Sequence, residues 1–141
     1  MARILLQVPV DASREDVYRA LTKKAGVTAW WSSRTTGPSG EGSVMKVSFP
    51  DAPITFDFRV EEVFPPERVG WRCLAGPPEW IGTGITFDIS AQDGTTNVLF
   101  THDGWKTTKK SFPFIAYSWA QILPRLKAFA ESGRRQPFFD F

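Results

Sequence analysis

The sequence predicts an α+β domain in which a curved antiparallel sheet of six to seven strands wraps around one long C-terminal helix, with two short helices after the first strand. Successive segments through the middle of the chain alternate apolar and polar residues, as strands do when a sheet is covered on one face only. Residues 114–132 instead carry an apolar stripe at i+3 and i+4 spacing, the period of an amphipathic helix. At 141 residues the chain has room for one domain. A half-covered sheet and a striped helix each need a cover, so the sheet curls around the helix.

Residues 3–10 open the chain as a strand, with Ile4, Leu6 and Val8 on one face. Ser13-Arg14-Glu15-Asp16 supplies an N-cap serine with an acid three residues on, and Val17, Ala20 and Leu21 give the first short helix its buried face. A second short helix holds Val27, Trp30 and Trp31, and Gly37-Pro38-Ser39-Gly40 opens a loop. A meander follows. Met45, Val47 and Phe49 share a face over 43–49, and Ile54, Phe56, Phe58 and Val60 do so over 54–63. Val69, Trp71 and Cys73 repeat the pattern over 68–74, as do Ile85, Phe87 and Ile89 over 83–90, then Val98, Phe100 and His102 over 95–102. Asp93-Gly94 marks a tight hairpin between the last two strands. In the final helix Ile115, Trp119, Ile122, Leu126 and Phe129 form the stripe, Pro124 kinks it, and Gly133 ends it. Residues 1–133 are thus the domain and 134–141 a Phe-rich tail, which docks on its own domain, on a second copy or on a partner.

Composition excludes several classes. One cysteine, Cys73, allows no internal disulfide, and one histidine, His102, allows no His/Cys metal cluster, so neither a metal nor another cofactor is expected. A net charge of +2 is too small for a nucleic-acid surface. No signal peptide is evident, and the longest uncharged run, 111–124, is too short to span a membrane. A cytoplasmic protein without membrane insertion is the expectation.

Signatures of catalysis are sparse. Gly40-Glu41-Gly42 and Gly82-Thr83-Gly84 lack the third glycine and following helix of a dinucleotide fingerprint. Glu61 and Glu62, adjacent on a strand, are expected on opposite faces and so cannot pair as acid and base. His102 alone could move a proton near neutral pH; it fits better as a loop anchor held through one ring nitrogen and, after that, as a polar contact to a ligand. The aromatics, 14% of the chain, are the informative constellation. Trp31, Phe56, Phe58, Trp71, Phe87, Phe100 and Trp119 all fall on faces directed between sheet and helix, where they either fill a core or wall a pocket.

Val8-Pro9, then Ser13 to Tyr18, then Ala29-Trp30-Trp31 resemble the opening of the SRPBCC superfamily. More narrowly, the chain resembles the single-domain bacterial homologues of the heat-shock-protein-90 ATPase activator. Pro65 to Val69 with Trp71, Gly82 to Phe87, Phe100 to Trp105 and the helix from Trp119 to Gly133 continue the likeness. It implies a helix-grip fold like that of the birch-pollen allergen and the START domains, with a cavity between sheet and helix.

The resulting expectation is a non-enzymatic binding module for a small hydrophobic or aromatic ligand, walled by Trp31, Phe58, Trp71, Phe87, Phe100 and Trp119, with His102 as a polar anchor near the mouth. Two alternatives remain beside it. One is a cyclase- or aromatase-like enzyme using His102. The other is a protein–protein module, acting as a homodimer or as a chaperone accessory.

Overall fold

The computed structural model describes residues 1–141. In chain order the elements are β1 (Ala2–Val10), α1 (Arg14–Thr22), α2 (Lys24–Trp30), β2 (Thr35–Thr36), β3 (Val44–Val47), β4 (Phe56–Phe64), β5 (Arg68–Ala75), β6 (Gly84–Gln92), β7 (Thr95–Trp105) and α3 (Phe112–Ser132). The seven strands form one sheet in the order β1-β7-β6-β5-β4-β3-β2, antiparallel at every pairing. The sheet grips α3, and α1 and α2 pack beside it, as the helix-grip expectation requires.

Local chemistry sets the boundaries. Ser13 Oγ accepts the Asp16 N–H at 3.1 Å and caps α1. Gly133 ends α3 in the left-handed conformation, φ 75°, and its N–H donates to the Phe129 carbonyl. Asp93 (φ 53°) and Gly94 (φ 80°) form the two-residue turn that sets Gln92 opposite Thr95. Pro124 lies inside α3, which nonetheless runs unbroken from Phe112. Pro113 occupies its first turn, where the missing N–H costs nothing.

The sheet reaches the upper of the two expected strand counts through β2, which is only two residues long and carries no readable alternation. Two expectations need correction. Ile54 is exposed and precedes β4, because the chain is still turning out of the loop after Pro50. Glu61 and Glu62 do not face opposite ways. Val60 pairs with Trp71 and Val63 with Val69, all inward, so a β-bulge puts both carboxylates on the convex face. There Glu61 pairs with Arg59 and Arg72, while Arg68 links Glu62 to Asp88. The hydrogen bond from Arg59, joined by Arg72, holds the Glu61 carboxyl below the usual carboxylate range. The strands therefore meet solvent through a charge ladder rather than an acid–base pair.

The α1–α2 corner depends on one close approach. A Cβ on Gly26 would lie 2.4 Å from the Ala20 carbonyl oxygen and 2.7 Å from its Cα. The same carbonyl accepts the Trp30 indole N–H at 2.9 Å, so the backbone has little freedom to retreat. Gly26→Ala gains helix propensity worth up to about 1 kcal/mol. Overpacking against backbone outweighs it, for a net loss of about 1–3 kcal/mol in urea unfolding. An unchanged urea midpoint would disprove the contact.

Candidate functional site

Most of the space between sheet and helix is filled. Phe58 on β4, Trp71 on β5, Phe87 on β6 and Phe100 on β7 are buried and face Trp119 on α3. Trp31, which caps α2, enters this layer from the side. Its ring stacks on Trp71 at 6.0 Å and 5° and approaches Trp119 to 5.1 Å and Phe58 to 5.5 Å. Trp71 meets Phe87 at 5.1 Å, and Phe100 meets Trp119 at 4.6 Å. Such offset and tilted pairs add to the burial energy of each ring.

A cavity of about 400 Å³ remains at one end of the interface, and ten of its fourteen lining residues are hydrophobic. Helix α3 contributes Phe114, Ile115, Ser118, Trp119 and Ile122, with Ser111 just before it. The β3–β4 connection contributes Phe49 and Ala52, followed by Phe56 at the start of β4. Pro77, Glu79 and Trp80 come from the β5–β6 connection, Trp31 from the α2 cap and Phe139 from the tail. Phe114 is 66% exposed and stands at the rim. Beside it the Ser111 hydroxyl donates to the Glu79 carboxylate.

Of the seven residues singled out from sequence, Trp31 and Trp119 reach this cavity; Phe58, Trp71, Phe87, Phe100 and His102 lie in the packed layer behind it. The lining from Ala52, from the β5–β6 connection and from the tail carries no periodicity, which is why pattern alone did not find it. Ile115 and Ile122 were visible in the helix stripe, and Phe49 and Phe56 in the strand alternation.

His102 is fully buried rather than at the mouth, because β7 continues past it to Trp105. The Trp119 indole N–H donates to its Nδ1 at 3.1 Å, which puts the ring proton on Nε2. Nε2–H then donates to Thr83 Oγ1 at 3.0 Å, and the Thr83 hydroxyl donates to the Trp80 carbonyl at 2.6 Å. Burial pushes the imidazole pKa down to about 3. His102 is thus a neutral strut tying α3 and β7 to the loop that carries Glu79 and Trp80, with no free ring nitrogen for proton transfer.

The tail docks on its own domain. The N–H groups of Gln136, Phe138 and Phe139 donate to the carbonyls of Ala29, Trp30 and Trp31, and Ser33 N–H returns a bond to the Phe139 carbonyl. Phe139 packs edge-on against Phe49, 5.0 Å between ring centres, and the Arg34 guanidinium lies 4.6 Å from the centre of the Phe141 ring. Burial raises the pKa of the lone thiol, Cys73, to about 11, so it stays protonated. No three His, Cys, Asp or Glu side chains come together so as to hold a metal ion. No helix is long and apolar enough to cross a membrane.

Residues 11–131 match the profile of the family described as Activator of Hsp90 ATPase homolog 1-like protein. The fold is similar to the solution structure of the Aha1 dimer from Colwellia psychrerythraea, with TM-score 0.84 and 33% identity over 94% of this chain and 98% of that one. MLL2253 from Mesorhizobium loti gives TM-score 0.78 at 18% identity, covering 89% of this chain and 94% of that one. DynU16, from the dynemicin biosynthetic locus, gives 0.80 at 20% identity, covering 99% of this chain and 51% of that one; both are likenesses of fold. No curated protein matches the sequence.

The buried strut has a pH signature. Below about pH 6.5 the unfolded chain protonates its histidine while the folded one does not, so stability present above that pH falls as the solution is acidified. Unfolding free energy should fall by up to ~1.4 kcal/mol per pH unit between pH 6.5 and 5. Glu61 and Glu131, whose pKa values are lowered by their basic partners, contribute their loss at lower pH. His102→Gln should remove this slope; a wild-type protein equally stable at pH 6.5 and pH 5 would contradict the assignment.

Proposed function

The chain belongs to the Activator of Hsp90 ATPase homolog 1-like family, and on that footing we propose that it is a binding module holding one small hydrophobic or aromatic molecule in the cavity at the end of α3. The observation that carries this reading is the cavity itself, about 400 Å³ with ten hydrophobic lining residues. A sealed apolar void of that volume would cost about 10 kcal/mol at ~24 cal/mol per Å³. That equals the whole stability of many domains, ~5–15 kcal/mol. An open pocket avoids the penalty, because solvent or a ligand occupies it. Burying ~250 Å² of ligand apolar surface contributes about 6 kcal/mol before the costs of association, enough for useful affinity with a good fit.

Trp31 and Trp119 touch the ligand in this reading. Phe58, Trp71, Phe87, Phe100 and His102 act at one remove, by fixing those two indoles. The cyclase-like alternative finds no support in His102, which does not reach the cavity. A reducing compartment suits the single free thiol, and we assign the protein to the cytoplasm on that ground.

A second reading is favoured by the relative from Colwellia, whose solution structure is a dimer. Self-association or docking on a chaperone would use exposed apolar residues, and Phe114 and Tyr117 on α3 are more than 60% exposed.

Ile115 lines the cavity from α3, so Ile115→Trp should fill it. Binding of 2-naphthol, read by titration calorimetry, should weaken more than tenfold with thermal stability unchanged or raised; equal binding by both proteins would remove the site from this cavity. Ending the chain at Gly133 removes the Phe139 wall and should weaken the same probe about fivefold, leaving sedimentation unchanged. A changed sedimentation coefficient would place the tail in an assembly interface.

A further inference from the structure

We infer that the occupant of this cavity is an organic cation: a flat apolar body bearing one protonated amine, seated with the amine against Glu79. The inference rests on the reading of the cavity as a ligand site and adds the chemistry of the ligand. Glu79 is the one charged residue in the lining. The seven ion pairs of the protein all lie elsewhere, so no basic side chain neutralises it. Its carboxylate receives the Ser111 hydroxyl, which occupies one of about four acceptor positions.

The backbone that carries the carboxylate is also held in place. Glu79 precedes Trp80, whose ring packs on Phe56, His102 and Trp105 and whose carbonyl is bound by Thr83. Around the same space stand Trp31, Phe56, Trp80 and Trp119, an aromatic wall suited to a flat apolar body. Lys109 and Lys110 precede Ser111, but both are exposed and neither lines the cavity, so solvent screens them. An anionic ligand such as a fatty acid would bring a second carboxylate to Glu79. Glu79 also lies near the first turn of α3, where a negative charge is favoured for purely structural reasons; the test must separate the two roles.

Three probes share one body: 2-naphthylmethylamine, 2-naphthylmethanol and 2-naphthoate. Calorimetry at low ionic strength should find the amine at least fivefold tighter than the alcohol and the naphthoate weakest. Glu79→Gln should bring the amine down to the affinity of the alcohol, with a much smaller change for the alcohol than for the amine. Ser111→Ala, which keeps the carboxylate, should retain the preference for the amine even where it loosens the start of α3. An amine no tighter than the alcohol, or a ranking that survives Glu79→Gln, overturns the inference and leaves the cavity reading standing. Failure of all three probes to bind overturns both.

Discussion

The indole of Trp31 lies between the concave face of the sheet and the C-terminal helix, flat against Trp71 on one side and tilted against Trp119 on the other. It belongs to neither element; α2 delivers it from the edge. That delivery constrains the chain around it. α2 must end at Trp30 so that Trp31 can turn inward, and Gly26 must let α2 press on the Ala20 backbone to bring it near enough. The carbonyl of Trp31 then faces outward, where it receives Phe139 and fixes the tail. Core, helix corner and tail are therefore consequences of seating one ring.

Filling the interface in this way decides where a ligand can go. Five bulky aromatics and Trp31 occupy the centre of the grip, and the apolar cavity of about 400 Å³ lies at the end where α3 begins. The polar strut from Trp119 through His102 and Thr83 to Trp80 does for the loop what stacking does for the core. Each buried polar atom along it has a partner, which is the condition under which such groups specify a geometry instead of weakening it. The loop carrying Glu79 and Trp80 is thereby tied to β7 and α3 through side chains, although it is not itself a strand of the sheet.

The framework was legible because burial imposes a period. Alternation gave the inward faces of β4 to β7 correctly, and the helix stripe named Trp119, Ile122 and Leu126, all buried. What escaped was aperiodic. The bulge at Glu61-Glu62 adds one residue to a strand without changing its composition, and only the pairing partners reveal it. His102 reads as a reactive group until the indole that occupies its Nδ1 is located seventeen residues away. Phe139 reads as an odd terminal aromatic until the carbonyl row of Ala29 to Trp31 is found to be its docking rail. In each case the missing information is a contact between distant segments that carries no local signal.

This division between framework and lining has a functional logic. The residues that stabilise the fold sit on strands and on the inner face of α3, where a change of one methylene is felt across the aromatic layer. Half of the cavity wall comes instead from Phe49, Ala52, Pro77, Glu79, Trp80 and Phe139 together with the cap residue Trp31. Trp31, Trp80 and Phe49 are tied to the layer behind them by ring contacts, and Phe139 is tied to Phe49. Ala52, Pro77 and Glu79 lie on connections outside the strands, where substitution changes size and charge in the pocket with least effect on the grip on the helix. For the binding module proposed above, such a division would let the architecture persist while loops and tail, rather than the fold they are mounted on, set the chemistry of the pocket.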